Sequence, residues 1–173
     1  MRKTGVCLAA VALAVGAQAQ HDHAQGAPSA QAAHHAYIEL ERQALERGEG
    51  FGMAMVADRH GFPGPKHILD LHGELALTAE QEEQVKQRFA EMKAKAIALG
   101  ERIREQEAEL ETVFAAGAPE AATVRSLLEK SARLRAALRW VHLSAHLDVK
   151  SLLTAEQQAR YHALRYGARQ HPH

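Results

Sequence analysis

The chain has 173 residues, with 21 basic against 21 acidic side chains and 12 histidines, and aromatics make up only 5% of it. A formal charge of zero gives no electrostatic footprint for nucleic acid, and so few aromatics offer little to the broad apolar pocket that enzymes use for small molecules. Ala, Leu, Glu, Gln and Arg dominate, a composition that favours long helices over a thick globular core.

Arg2 and Lys3 precede an apolar run from Val6 to Val15, and Ala17-Gln18-Ala19 then places small residues where a signal peptidase reads. The run is shorter than the roughly 20 apolar residues that a membrane-spanning helix needs. Residues 1–19 are therefore expected to be a signal peptide cleaved after Ala19, leaving an exported protein with no stable membrane insertion. The single cysteine, Cys7, falls inside this signal, so the mature chain can form neither a disulfide nor a thiolate metal site. Loss of Arg2 and Lys3 leaves 19 basic against 21 acidic residues, a charge of −2 with histidine neutral. Residues 20–34 are Ala, Gln, Gly, Pro, Ser and His without an apolar period, which predicts a flexible leader.

An N-terminal arm follows over 35–64. Its first part reads as a short helix from His35 to Arg47, ended by Gly48. Gly48-Glu49-Gly50-Phe51-Gly52 and the turn Gly61-Phe62-Pro63-Gly64-Pro65 forbid a continuous helix beyond that point. The arm is expected to wrap against the remaining helices through Phe51, Met53, Met55 and Phe62.

A helical domain is predicted over 65–167. Pro65 suits a first helical turn, and Ile68, Leu69, Leu71, Leu75 and Leu77 recur near a helical period, predicting about three turns up to Thr78. Thr78-Ala79-Glu80-Gln81 reads as a capping box. It opens a helix whose positions Val85, Phe89, Met92, Ala96, Leu99, Ile103, Gln106, Leu110 and Val113 alternate in steps of four and three to about Ala116. Its length would be on the order of 55 Å. Gly100 in the interior costs about 1 kcal/mol against alanine and reads as a bend. After the turn Gly117-Ala118-Pro119, the same spacing returns in Val124, Leu127, Ser131, Leu134, Leu138, Val141, Ala145, Asp148 and Leu152. Two such seams joined by a tight turn predict a long antiparallel helical hairpin with short flanking helices, an all-α fold. Thr154-Ala155-Glu156-Gln157 repeats the capping box and opens a last helix with Tyr161, Leu164 and Tyr166, stopped by Gly167. A histidine-containing tail, 168–173, ends the chain.

The paired elements Leu77-Thr78-Ala79-Glu80-Gln81 and Leu153-Thr154-Ala155-Glu156-Gln157, around a hairpin and behind a signal peptide, resemble the Leu-Thr-x-x-Gln signature of the Spy/CpxP family of periplasmic proteins. The stretch from Gly61 to Leu69 is similar to a segment of its heavy-metal sensor and resistance branches. The resemblance covers about His34 to Gly167. It implies a cradle-shaped homodimer in the periplasm. It also implies either ATP-independent chaperoning of unfolded periplasmic proteins, the leading expectation, or sensing of envelope stress or metal in concert with an envelope sensor protein.

His142 and His146 lie four apart on the return helix, a spacing that stacks two rings on one face and is used by helical metal ligands. The metal-sensing branch of the family carries methionine at the second place, where His146 stands here. That change favours a divalent transition metal, Zn, Ni, Co or Cu(II), over Cu(I). Further ligands could come from His35 and Glu39, also four apart, or from His67 and Asp70. The alternative is a pair of half-exposed histidines on a dimer surface. His21, His23, His34, His35, His171 and His173 sit near the ends and suit weak chelation. The glycine-rich stretch at 48–52 has no preceding strand and no following Lys-Ser/Thr, so it is not a phosphate loop. No nucleophile motif and no His-Glu-x-x-His pair occurs, so neither catalysis nor a required cofactor is expected. Phe51, Met53, Met55 and Phe62 are the candidate client surface, with Lys86, Lys93, Arg102, Arg133 and Arg139 as cations for early contact.

Overall fold

A computed structural model describes residues 29–167. Residues 1–28, including the expected signal peptide, and the 168–173 tail lie outside the described residues, and with them His21, His23, His171 and His173. The described chain is all-α: α1 (Ala30–Arg47), α2 (Met55–Arg59), α3 (Pro65–Asp70), α4 (Ala79–Ala115), α5 (Ala121–Leu152) and α6 (Ala155–Tyr166), with no strand among the described residues. No helix among them is long and apolar enough to cross a membrane.

α4 and α5 form the predicted antiparallel hairpin. Every member of the α4 seam is buried or half-buried, Gln106 included. The α5 seam holds through Leu138 and then drifts. Asp148 is exposed, while His142, His146 and Val149 turn inward beside Ala145. A straight helix turns every 3.6 residues and slips about 20° per heptad against a strict 3.5-residue repeat. Over the last turns of α5 that slip carries the buried stripe off Val141 and Asp148 and onto the two histidines.

The short elements close over this end of the hairpin. One cluster joins Ile68, Leu75, Val85, Val149, Leu153 and Tyr161; a second joins Leu45, Ala96, Ile103 and Leu138. Both predicted capping boxes are present. Thr78 Oγ1 accepts from the Gln81 amide N–H at 3.1 Å, and Thr154 Oγ1 from that of Gln157 at 3.2 Å. The two glutamines also bind each other: Gln81 Nε2 donates to Gln157 Oε1 at 2.9 Å, and Gln157 Nε2 to Gln81 Oε1 at 3.0 Å. The repeated motif thus serves as a clasp between α4 and α6 as well as a cap for each.

Three elements depart from expectation. α1 begins at Ala30, five residues before His35, because the Ser29 hydroxyl caps it by accepting from the Ala32 N–H at 3.2 Å. The arm contains the additional short helix α2. α3 ends at Asp70 rather than reaching Leu77: the chain passes through turns in which Ala76 takes a positive φ of 47° and Leu77 N–H donates to His72 C=O at 3.2 Å. That tighter path folds Leu75 back into the core.

Gly100 also has a role other than the expected bend. A Cβ placed there would lie 2.4 Å from the Leu45 carbonyl oxygen, so the hydrogen is what lets the end of α1 lie on α4. In an exposed helix interior Gly→Ala stabilises by about 1 kcal/mol. Here Gly100→Ala is expected to lower the denaturant midpoint, because backbone cannot yield as a flexible side chain does. A raised midpoint in equilibrium unfolding would show that α1 does not seat against α4.

Candidate functional site

His142 and His146 are 4% and 8% exposed, which rules out the half-exposed alternative. Two glycines of the arm make that burial attainable. A Cβ at Gly50 would stand 3.3 Å from His142 Nδ1, and one at Gly64 would stand 2.8 Å from His146 Nε2. The backbone therefore passes directly over both rings. His146 Nδ1 lies 2.7 Å from the Phe62 carbonyl oxygen. A carbonyl only accepts, so Nδ1 carries the proton and Nε2 keeps its lone pair, the tautomer that an outer-shell carbonyl sets in metal-binding histidines. His142 Nε2 is enclosed and has no hydrogen-bond partner. Burial pushes the His142 pKa down and neighbouring His146 adds to that shift. Burial likewise lowers His146, outweighing the Phe62 carbonyl and Asp58, which act the other way. Both rings are thus neutral near pH 7, as metal ligation requires.

Asp58, which no motif or spacing singles out, anchors the arm beside them. It is 5% exposed. The Tyr161 hydroxyl donates to its Oδ1, the Tyr166 hydroxyl donates to its Oδ2 at 2.5 Å, Arg165 approaches Oδ2 at 3.3 Å, and His67 Nδ1 stands 3.6 Å from Oδ1. Burial raises its carboxyl pKa, but His67 and the two tyrosines more than offset this and hold it well below the usual carboxylate range. Burial, reinforced by Asp58, pushes both tyrosine hydroxyls up. The one hint in the sequence is the grouping of Tyr161, Arg165 and Tyr166 on adjoining turns of the last helix, three polar heads in need of a partner.

A cavity of about 410 Å³ lies between the glycine-rich loop, the start of α3, Phe89, Met92 and Lys93 of α4, the two histidines and Arg165. Of the proposed extra ligands, His67 reaches this cavity, whereas Asp70 pairs with Lys66 at 2.7 Å. His35 and Glu39 lie exposed on α1 and are not brought to the α5 pair. Glu39 accepts from Arg42 and Gln43, which lower its pKa to about 2. Among the described residues no group of three or more His, Cys, Asp or Glu side chains is gathered to hold a metal. The candidate client residues divide as well. Phe51 and Met55 are exposed at the cavity mouth, Met53 packs against the Leu45–Leu138 cluster, and half-buried Phe62 carries the Lys150 ammonium 3.7 Å above its ring.

Metal-free protein should lose stability as pH falls below the ordinary histidine value of 6.5, because the lowered folded-state pKa values make the unfolded chain bind protons first. The contribution is whole above 6.5 and is lost as pH falls toward the folded-state values, with a limiting slope of about 1.4 kcal/mol per pH unit for each histidine. Urea midpoints across that window should flatten in His142→Gln and His146→Gln. An unchanged slope in both variants would mean that the rings are solvated.

Residues 50–160 match the profile of the heavy-metal resistance family. No curated protein and no solved structure matches the chain. The matched span takes in the glycine-rich loop from Gly50 onward, the whole hairpin and both clasping glutamines. It extends over well more than half of the sequence, and the chain belongs to the heavy-metal resistance family.

Proposed function

We propose that this is a non-enzymatic periplasmic protein that takes up a divalent transition-metal ion at His142 and His146. The observation that carries the reading is the enclosed, unpartnered Nε2 of His142 beside a His146 whose Nε2 lone pair is set by the Phe62 carbonyl. A buried nitrogen without a partner costs about 1–3 kcal/mol, and a bound ion would supply the missing partner. Imidazole donors suit Zn, Cu(II), Ni and Co. Two nitrogens leave positions for further ligands, and Glu49 and His67 line the same cavity. The chain's own contribution is to keep both rings neutral, orient them and cover them with the arm. Calorimetric titration with Zn, Cu, Ni and Co should give one stoichiometric site. His142→Ala and His146→Ala should each weaken it by more than the roughly 10–100-fold typical of losing an outer-shell partner. Binding that survives both substitutions would assign chelation to the terminal histidines and end this reading.

A second reading, ATP-independent holding of unfolded periplasmic chains by a homodimer, is favoured by apolar surface left open at the cavity mouth. Phe51, Met55 and Val56 are 41%, 48% and 52% exposed, and the Tyr37 ring lies 5.5 Å from that of Phe51. Methionine repacks easily around varied partners. The protein should then sediment as a dimer and suppress aggregation of an unfolded client without nucleotide. Phe51→Ser with Met55→Ser should weaken suppression at unchanged helix content, since neither residue is in the core. Full suppression by the double variant would remove this surface from consideration.

A further inference from the structure

The stretch of the arm from Glu49 to Phe62 is seated on the hairpin by little apolar contact. Within it only Ala54 and Asp58 are buried, and both core clusters draw their buried members from other segments. The backbone bonds donated from Met53 through Phe62 end on carbonyls between Gly50 and Asp58, so the stretch carries its own hydrogen bonding with it. Its ends are pinned by buried Gly48 and Pro63. Gly48, Gly52 and Gly61 take positive φ values of 66°, 79° and 79°, a region where glycine turns the chain without strain.

The principal fastening is the Asp58 carboxylate, which accepts from Tyr161 and Tyr166 and faces Arg165 of α6 and His67 of α3. Further ties are the Phe62 carbonyl on His146, the Lys150 ammonium over the Phe62 ring and Met53 against the Leu45 cluster. A carboxylate that leaves such a site regains its hydration, so its charge-assisted bonds hold less firmly than their number suggests. Segments seated by few apolar contacts open locally while the rest stays folded. The cavity of about 410 Å³ is lined by Phe51, Ala54 and Met55 of the arm and by Phe89 and Met92 of α4. Resting on the holding reading above, we infer that residues 49–62 are a strap, fastened to α6 by Asp58, which covers Phe89 and Met92 at rest. Its release lets an unfolded chain reach them.

The test reads amide hydrogen exchange of the purified protein in low concentrations of urea. Amides from Met53 to Phe62 should show a weaker urea dependence than the slowest amides of α4 and α5, because opening a strap exposes less surface than unfolding. Asp58→Asn removes the charge at nearly constant size and should speed their exchange at least about tenfold, as expected for lost hydrogen bonds to a charged group. Tyr166→Phe keeps the ring and should act in the same direction more weakly, which decides the matter should the Asn variant fold poorly. A common urea slope for arm and hairpin in the native protein would overturn the strap. Unchanged arm exchange in both variants would overturn Asp58 as its fastener. With reduced α-lactalbumin as client, Asp58→Asn should suppress aggregation at a lower molar ratio than the native protein. Equal suppression beside faster exchange would overturn the gating and leave the holding reading standing. If neither protein suppresses aggregation, the holding reading falls and the gating with it.

Discussion

Asp58 holds a charge where water scarcely reaches it, and the arrangement of the arm depends on how that charge is met. A buried ion without partners costs several kcal/mol, so α2 can lie where it does only because α6 delivers two tyrosine hydroxyls and a guanidinium to one carboxylate. The placement of α6 rests in turn on Thr154 and on the exchange of hydrogen bonds between Gln81 and Gln157. A causal chain follows from there. The glutamine clasp fixes the start of α6, α6 fixes Asp58, Asp58 fixes the path through Phe62 and Gly64, and the Phe62 carbonyl fixes the tautomer of His146. A pair of capping motifs, the first of them far from the histidines in sequence, thereby sets the chemistry of a ring on α5.

The core is thin, and contact is made by close approach more than by bulk. Large fully buried side chains are few, and apart from Ile103 and Leu138 in the second cluster they gather at the end of the hairpin where α3 and α6 close over it. Elsewhere the chain relies on backbone lying against helix. Leu45 over Gly100, Gly50 over His142 and Gly64 over His146 are such crossings. Each substitutes dispersion contact at short range for the side-chain volume that the composition does not supply.

What the sequence disclosed were the features governed by neighbours three and four residues away. Both capping boxes, the α4 seam, the α5 seam as far as Leu138 and the hairpin turn are local, and all are found where the pattern put them. α3 was overestimated because its leucines keep a helical period through turns that Ala76 closes with a positive φ, a conformation that no spacing announces. The histidine pair was legible as a pair. Its burial was not, because that depends on the slip of the α5 stripe and on an arm that lies far upstream, 84 residues away at the Phe62–His146 contact. Asp58 was invisible for the same reason: its donors Tyr161, Arg165 and Tyr166 lie over 100 positions away, and on its own short segment it looks like any solvated aspartate. His35 and Glu39 show the converse error, since correct helical spacing on α1 says nothing about which helix that face meets.

Enclosure of His142 Nε2 bears on both functional readings. That nitrogen has no hydrogen-bond partner, and Gly50 lies against the ring at Nδ1 rather than at Nε2. Under the proposed metal-binding reading, an ion would gain Nε2 only in molecules where the atoms enclosing it have moved, and apparent affinity would equal intrinsic affinity reduced by the fraction so opened. Phe51 follows Gly50 in the same loop, so an opening made by that loop would also alter the apolar surface on which the second reading rests. An ion with a preference for the opened form would then, by linkage, raise the population that presents the altered surface.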